Sequence, residues 1–335
     1  ATAILVAILL SIFGGFPPEK VFAQFFDKVV VLVLGGFVLA VALTKHSLDE
    51  FFANKILGRF GNSPDKILLG MIGATAFVSM WMSNSAAAAI SLPIAAVLLV
   101  KNKMKARESK FGVAMMLAVA YGATIGGIGT LVGSTPNVLS QKFLTLNNVS
   151  FGFLDWGLRG FPFMLVMIIV CWLILRYLFK SEKKTLVVEK HEHPFTKDQK
   201  YVAAIFFLIV LMWVTESIPG IHNSIVALLA IILLDSFKLV NTEDFHKVGW
   251  DSLILIGGGI ALGMAIDVSG LDEIFSKPLG AFLSTQSFFV IMLTMGVVGV
   301  VLTSFLSNTA ASAVLIPVIT ALSSTIGVDI TNLVV

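Results

Sequence analysis

Charge is what this chain has least of. Of its 335 residues, only 13% are Asp, Glu, Lys or Arg, about half the ~25% usual in soluble domains. Hydrophobic residues make up 57%, and the mean hydropathy is +0.95. So few charges cannot clothe a water-facing shell around so much apolar material. A soluble enzyme, a secreted disulfide scaffold and a disordered tail are thereby excluded. Cysteine is almost missing too. Cys171 is alone, so neither an intrachain bridge nor a thiolate metal site can form. Nor does one sign of charge dominate. The net charge is +3, with basic residues in short runs between apolar segments. That is how a polytopic membrane protein places its charge in a lipid bilayer, and it is no nucleic-acid footprint.

What the chain has is long apolar runs. A spanning helix needs ~20 mostly apolar residues. The candidates are 28–44, 111–140, 160–179, 201–214, 222–237 and 250–268, and residues 1–13 read as the tail of another helix. No basic region precedes that first run, so it is not read as a signal peptide. Two longer stretches, 67–100 and 278–328, contain no charged residue at all. Each is interrupted by polar residues, Ser83-Asn84-Ser85 and Ser307-Asn308-Thr309. In the first stretch, sixteen residues precede Ser83 and fifteen follow Ser85. Arms of that length reach roughly 24 Å, short of a ~30 Å hydrocarbon core. Re-entrant hairpins over 67–100 and about 286–325 therefore fit better than pairs of full spans. Their tips must be covered by protein or water.

Lys45, Lys55, Arg59 and Lys66 precede the first hairpin, and Lys101, Lys103, Lys105, Arg107 and Lys110 follow it. The positive-inside rule puts both of its ends in the cytoplasm. The second hairpin has only Lys277 nearby and is expected to open from the other side. The lysine-rich stretch 180–200 reads as a cytoplasmic linker between two halves, 1–179 and 201–335.

The halves match each other. Leu34-Gly35-Gly36 pairs with Ile256-Gly257-Gly258, and Leu48-Asp49-Glu50-Phe51-Phe52 with Leu271-Asp272-Glu273-Ile274-Phe275. Each polar tip is followed by a proline nine residues after its Asn, at Pro93 and Pro317, and all three matches share an offset of 222 to 224. Repeats with opposed flanking charge are inverted-topology repeats, the build of secondary transporters with broken helices at the midplane. After the first hairpin, Gly126 to Asn137 runs Gly-Gly-Ile-Gly-Thr-Leu-Val-Gly-Ser-Thr-Pro-Asn, which spells an unwound helix. Its counterpart would begin beyond residue 335, so the expectation is a chain short of its first helix and its last two.

Hairpin tips and broken helices expose backbone groups. Carbonyls and hydroxyls are hard oxygen ligands, and helix N-termini attract anions. The tip at Ser83-Asn84-Ser85 starts a hairpin arm, so its amides and side chains are placed to bind an anion, with Gly133 to Asn137 facing it. Gly126, Gly127 and Gly129 serve either this site or close helix packing. A proton-driven carrier needs intramembrane Asp, Glu or His. The proposed core has none, which favours Na⁺ as the coupling ion. Glu216, Asp251 and Asp267 fall at segment ends, where they read as caps or anchors. His191-Glu192-His193 reads as solvated linker. Residues 45–60 form an amphipathic interfacial helix, with 271–283 as its repeat partner.

These residues resemble a family. Met80-Trp81-Met82-Ser83-Asn84-Ser85 and Leu306-Ser307-Asn308-Thr309 resemble the paired Ser-Asn-Thr hairpin motifs of the divalent anion/sodium symporters. Trp213-Val214-Thr215-Glu216-Ser217-Ile218-Pro219 looks like that family's Trp-x-Thr-Glu-x-x-Pro segment, and Gly133-Ser134-Thr135-Pro136-Asn137 like its first unwound-helix motif. The resemblance covers essentially the whole chain. It implies an all-α homodimeric carrier, with Na⁺-coupled uptake of dicarboxylates such as succinate, malate or fumarate by an elevator-like movement. It implies substrate contacts from Ser83, Asn84, Ser85, Ser134, Thr135, Pro136, Ser307, Asn308 and Thr309. One sodium site would use Ser79, Ser83, Asn84 and Gly133, and a second, incomplete in this chain, Thr303, Ser307 and Asn308. The first motif departs from the family in ending on Ser85, which keeps the hydroxyl but loses a methyl. Citrate or sulfate carriage, or exchange, are the alternatives of the same build. An intramembrane enzyme would need a dyad such as Ser-His or paired Asp, and neither tip has one nearby in sequence.

Overall fold

The computed structural model describes residues 1–105, 108–187, 195–215, 222–271, 274, 276, 280, 281 and 283–335. Among them it contains helices and no strand. In order these are α1 (Thr2–Ile12), α2 (Pro18–Ala23), a 3-10 turn (Gln24–Phe26), α3 (Lys28–Lys45), α4 (Leu48–Leu57), α5 (Pro64–Ser79) and α6 (Asn84–Lys101). There follow α7 (Lys110–Gly126), a 3-10 turn (Leu131–Gly133), α8 (Thr135–Leu146), α9 (Phe153–Leu178), α10 (Lys197–Thr215) and α11 (Asn223–Ser236). The last are α12 (Thr242–Phe245), α13 (Trp250–Ser269), α14 (Phe288–Phe305), α15 (Asn308–Ile326) and α16 (Ile330–Val334). Among the described residues, six stretches are long and apolar enough to cross a membrane: Pro18–Lys45, α6, α9, α10, α13 and α14. The protein is a polytopic helical membrane protein.

Both long uncharged stretches are broken helices. The chain leaves helix over Met80–Ser83 in the first and at Leu306–Ser307 in the second. Each break ends on a serine that caps the next helix. Ser83 Oγ accepts the Ala86 N–H at 3.3 Å, and Ser307 Oγ accepts that of Ala310 at 3.2 Å. Asn84, Ser85, Asn308 and Thr309 thus lie in first helical turns. Pro93 and Pro317 sit inside the two second arms, where each lacks the N–H that would bond the carbonyl four residues back. The apolar run 111–140 is also cut. α7 stops at Gly126, and helix resumes only at Thr135, extending to Leu146. The amphipathic stretch 45–60 forms α4. Most of its repeat partner, including Asp272, Glu273, Phe275 and Lys277, lies outside the described residues, as do Arg107, Glu216–Pro219 and His191-Glu192-His193.

Contacts divide the chain into two compact units, each drawing on both sequence halves. The first comprises residues 1–34, 135–152 and 249–335. In it, α13 packs on α1 and α15, and α8 packs on α13 and α15. Gly258 admits Ala3 of α1, and Gly263 leaves room for the Phe143 ring of α8. Three successive α8 side chains make polar bonds. Ser140 donates to the Val334 carbonyl at 3.2 Å, Gln141 to that of Phe151 at 2.9 Å, and Lys142 pairs with Asp27 at 2.5 Å. The Lys142–Asp27 pair is nearly enclosed, its side chains 11% and 15% exposed.

The second unit comprises residues 35–134 and 153–248. Its core is α5 against α7, with Met71, Ile72, Phe111, Met115 and Val119 buried together. Close approach depends on Gly122 and Gly126, one turn apart. A Cβ on Gly122 would lie 2.8 Å from the Ile72 carbonyl oxygen, and one on Gly126 would run into the Ala76 backbone. At one end of α3 a polar clasp forms. Asp244 accepts from Lys45 at 2.6 Å, Lys247 at 3.1 Å and the Asn241 N–H at 3.0 Å. Burial pushes its carboxyl up, but the two lysines and the Asn241 amide outweigh this and hold it at about 2.

Candidate functional site

The candidate residues form two clusters, one in each unit. In the second unit the cluster joins two helix ends. Ser79 is the last residue of α5 and is fully buried. Its hydroxyl donates to the Ala123 carbonyl at 2.6 Å and lies 3.1 Å from Asn84 Oδ1. Ala123 is in the last turn of α7, and its helical bond from Gly127 N–H is long, at 3.3 Å. Thr130, buried, donates its hydroxyl to the Met80 carbonyl. Gly127 faces the tip so closely that a Cβ there would lie 2.6 Å from Asn84 Oδ1. A Cβ on Gly133 would lie 2.8 Å from the Gly127 carbonyl oxygen and 3.1 Å from that of Met80.

Ser79 Oγ, Asn84 Oδ1 and the carbonyls of Met80, Ala123 and Gly127 therefore gather where α5, α6 and α7 end. All are neutral oxygens. This donor set suits a hard cation held by carbonyls, hydroxyls and amides, and offers nothing to a soft metal. Among the described residues, no group of three or more His, Cys, Asp or Glu is placed to hold a metal ion. Of the expected residues, Ser79, Asn84 and Gly133 are brought together here. Ser83 is exposed and its hydroxyl caps α6, and Ser85 is exposed one residue beyond Asn84. Ser134 ends the 3-10 turn in extended backbone. Sequence reasoning missed Thr130 and the Ala123 carbonyl. A lone threonine among glycines carries no signal of its partner fifty residues away. The carbonyl is not a side chain at all.

In the first unit the cluster is simpler. Thr309 is buried in the first turn of α15, and its hydroxyl bonds that of Thr135 at the start of α8. Pro136 is half-buried, and Asn137 is buried. Ser307 and Asn308 are exposed at the tip. Thr303 is exposed as well and donates to the carbonyl of Val300 in its own helix at 3.2 Å. The structure thus joins Thr135 to Thr309 and does not join Thr303 to Ser307 or Asn308.

Each tip is also a helix N-terminus. The serine caps satisfy the Ala86 and Ala310 amides. The amides of Asn84, Ser85, Asn308 and Thr309 point out of first turns, where no carbonyl of their own helix can reach them. Such amides at the positive end of a helix dipole bind carboxylates and other anions.

Broken helices whose ends gather neutral oxygens, in a polytopic helical protein, define a secondary-transporter build. A family model described as citrate transporter matches residues 1–335. The chain is 32% identical to the sodium-dependent dicarboxylate transporter SdcS of Staphylococcus saprophyticus, over 98% of this chain and 70% of that protein. It is 31% identical to SdcS of Staphylococcus aureus, over 98% of this chain and 69% of the relative. An uncharacterized transporter of Methanocaldococcus jannaschii is 34% identical, over 96% of this chain and 74% of its own length. The chain belongs to the citrate transporter family. It is a multi-pass membrane transporter and not an enzyme.

Proposed function

We propose that the protein carries C4-dicarboxylates such as succinate, malate or fumarate into the cell together with Na⁺. The observation that carries this reading is the cluster of neutral oxygens around Ser79 and Asn84 beside a serine-capped helix start. It offers a cation site and an anion site on adjacent groups. Ser79, Asn84 and Gly133, with Gly127 and Thr130 beside them, hold one sodium ion. The amides and hydroxyls of Ser83, Asn84, Ser85, Ser307, Asn308 and Thr309 take substrate carboxylates, assisted by Ser134, Thr135 and Pro136. A second sodium site draws on Ser307, Asn308 and Thr303 after rearrangement of the Thr303 hydroxyl. The two broken helices act as re-entrant hairpins of inverted repeats, and the carrier works as a homodimer by an elevator-type movement. The SdcS relatives, whose name states sodium dependence and dicarboxylates, support the same reading.

The charge balance fits. Each positive charge moved inward gains ~2.3 kcal/mol per 100 mV. A dianion entering alone would work against that field. Two sodium ions cancel its charge, and a third makes uptake electrogenic. The test is uptake of radiolabelled succinate into proteoliposomes with and without a Na⁺ gradient. Sodium-driven accumulation is expected, and equal uptake in choline buffer would overturn the coupling. The description of the family model favours citrate as a second reading. Citrate that displaced succinate at equal concentration in the same assay would establish it.

A further inference from the structure

Helix α9 meets the break after α7 along one stripe of its surface. Trp156, Gly160 and Met164 follow one another at one-turn spacing, so they share a face. Trp156 is buried, and its Nε1 donates to the Ile128 carbonyl at 2.8 Å. One turn on, a Cβ at Gly160 would run into that same carbonyl oxygen. A turn further, Met164 is buried, and its Sδ would lie 2.6 Å from a Cβ on Gly129. The stripe therefore closes on the backbone of Ile128 and Gly129. Those residues form a tight turn. The Ile128 N–H bonds the Ile125 carbonyl at 3.2 Å, and the Gly129 N–H that of Gly126 at 3.0 Å. Both bonds reach three residues back, as in a 3-10 helix. At Thr130 the backbone is extended. The helix thus does not go on to supply the N–H that would bond the Ile128 carbonyl, and the indole stands in for it.

Both neighbours of this pinned carbonyl belong to the neutral-oxygen cluster. Gly127, just before it, meets Asn84 Oδ1, and Thr130, just beyond Gly129, holds the Met80 carbonyl. We propose that Trp156 is a positioning residue for the sodium site, an inference that rests on the sodium reading given above. It acts through the Ile128 carbonyl, fixing the turn so that Gly127 and Thr130 keep their places beside Asn84 and Met80. A cation site tolerates little movement of its oxygens, and loss of a supporting hydrogen bond typically costs about 10–100-fold in metal affinity. The same helix carries its own control. Trp172 donates its Nε1 to the Asp65 carbonyl at 2.7 Å, in the first turn of α5. That bond is of the same kind but sits at the end of α5 away from Ser79.

The test measures succinate uptake into proteoliposomes against Na⁺ concentration for wild type, Trp156→Phe and Trp172→Phe. Trp156→Phe keeps a ring and loses the N–H. It is expected to raise the half-saturating Na⁺ concentration about tenfold, the low end of that range, and to retain the rate at saturating Na⁺. Trp172→Phe is expected to lower the unfolding temperature and to leave the Na⁺ dependence unchanged. A readout that needs no transport comes from 5-fluorotryptophan. The chain has five tryptophans. The fluorine signal of Trp156, assigned by its loss in Trp156→Phe or by elimination with the other Trp→Phe variants, should shift as Na⁺ replaces choline, and that of Trp172 should not. If Trp156→Phe does not fold, this signal decides. Wild-type Na⁺ dependence in Trp156→Phe overturns the inference. So does an equal rise in Trp172→Phe, or a Trp156 signal indifferent to Na⁺ in a protein whose uptake requires it. Wild-type uptake that is equal in Na⁺ and choline overturns the sodium reading itself, before any variant is compared.

Discussion

At Gly126 a methyl group would run into the Ala76 backbone across the α5–α7 crossing. At Gly127, one residue on, it would sit 2.6 Å from Asn84 Oδ1. The neighbours therefore predict different failures. Gly126→Ala must push two helices apart, and is expected to cost about 1–3 kcal/mol of stability, the usual price of overpacking, seen as a lower unfolding temperature. Gly127→Ala is expected to fold and to displace the Asn84 carbonyl, raising the Na⁺ concentration for half-maximal succinate uptake. Asn84→Ala deletes that oxygen altogether, and a ten- to hundredfold rise is expected, about 1.5–3 kcal/mol for a bond to a charged group. If Asn84→Ala carried succinate at wild-type Na⁺ dependence, the assignment would fail. The tips were legible in the sequence because Ser and Asn stand out in long uncharged runs. The division of roles between Gly126 and Gly127 was not. It is decided by what a distant helix brings within reach, and nothing local distinguishes adjacent glycines.

At the scale of elements, α8 is fixed by polar bonds from three successive side chains. Its Lys142–Asp27 pair is nearly enclosed, so removing either partner leaves the other charged and buried. Lys142→Met or Asp27→Asn alone should destabilise by about 3–5 kcal/mol, and the combined variant should recover much of the loss. Asp27→Asn retains an oxygen for the Val29 N–H that Asp27 accepts at 3.0 Å. Thermal unfolding of the purified variants reads this out. The Asp244 clasp carries a pH dependence. Its folded pKa lies near 2, below the ordinary 3.8. Its contribution is therefore complete above the ordinary value and is lost as pH falls toward 2. Asp244→Asn should flatten the wild-type loss of stability between pH 4 and about 2. Helix positions were legible from apolar run length. The end of the run 111–140 was not, because Gly127 to Ser134 is as uncharged as the helices it separates.

For the whole molecule, the contact units cut across the sequence halves, since 135–152 groups with the chain termini and 35–134 with 153–248. Residue similarity follows ancestry, while contacts follow packing, and only the first can be read from one sequence. The scarcity of cysteine becomes an experimental asset at this scale. Cys171 is the one cysteine and is buried, so Cys171→Ser gives a clean background for thiol labelling. A cysteine placed at exposed Ser85 should react with a membrane-impermeant reagent, and Na⁺ plus succinate should slow that reaction severalfold. Unchanged labelling under all conditions would argue against ligand-driven change of access at the tip.

The hydroxyls of Ser79 and Thr130 already donate to the carbonyls of Ala123 and Met80. A cation entering this cluster competes with those protons and does not meet bare oxygens. In the sodium site proposed above, any hydrogen bond the ion displaces offsets part of what it gains. A calcium buffer is built to keep its ion, whereas a carrier turns over only as fast as it lets go. In the proposed sodium site, these two hydroxyls would set the hold on the ion toward release.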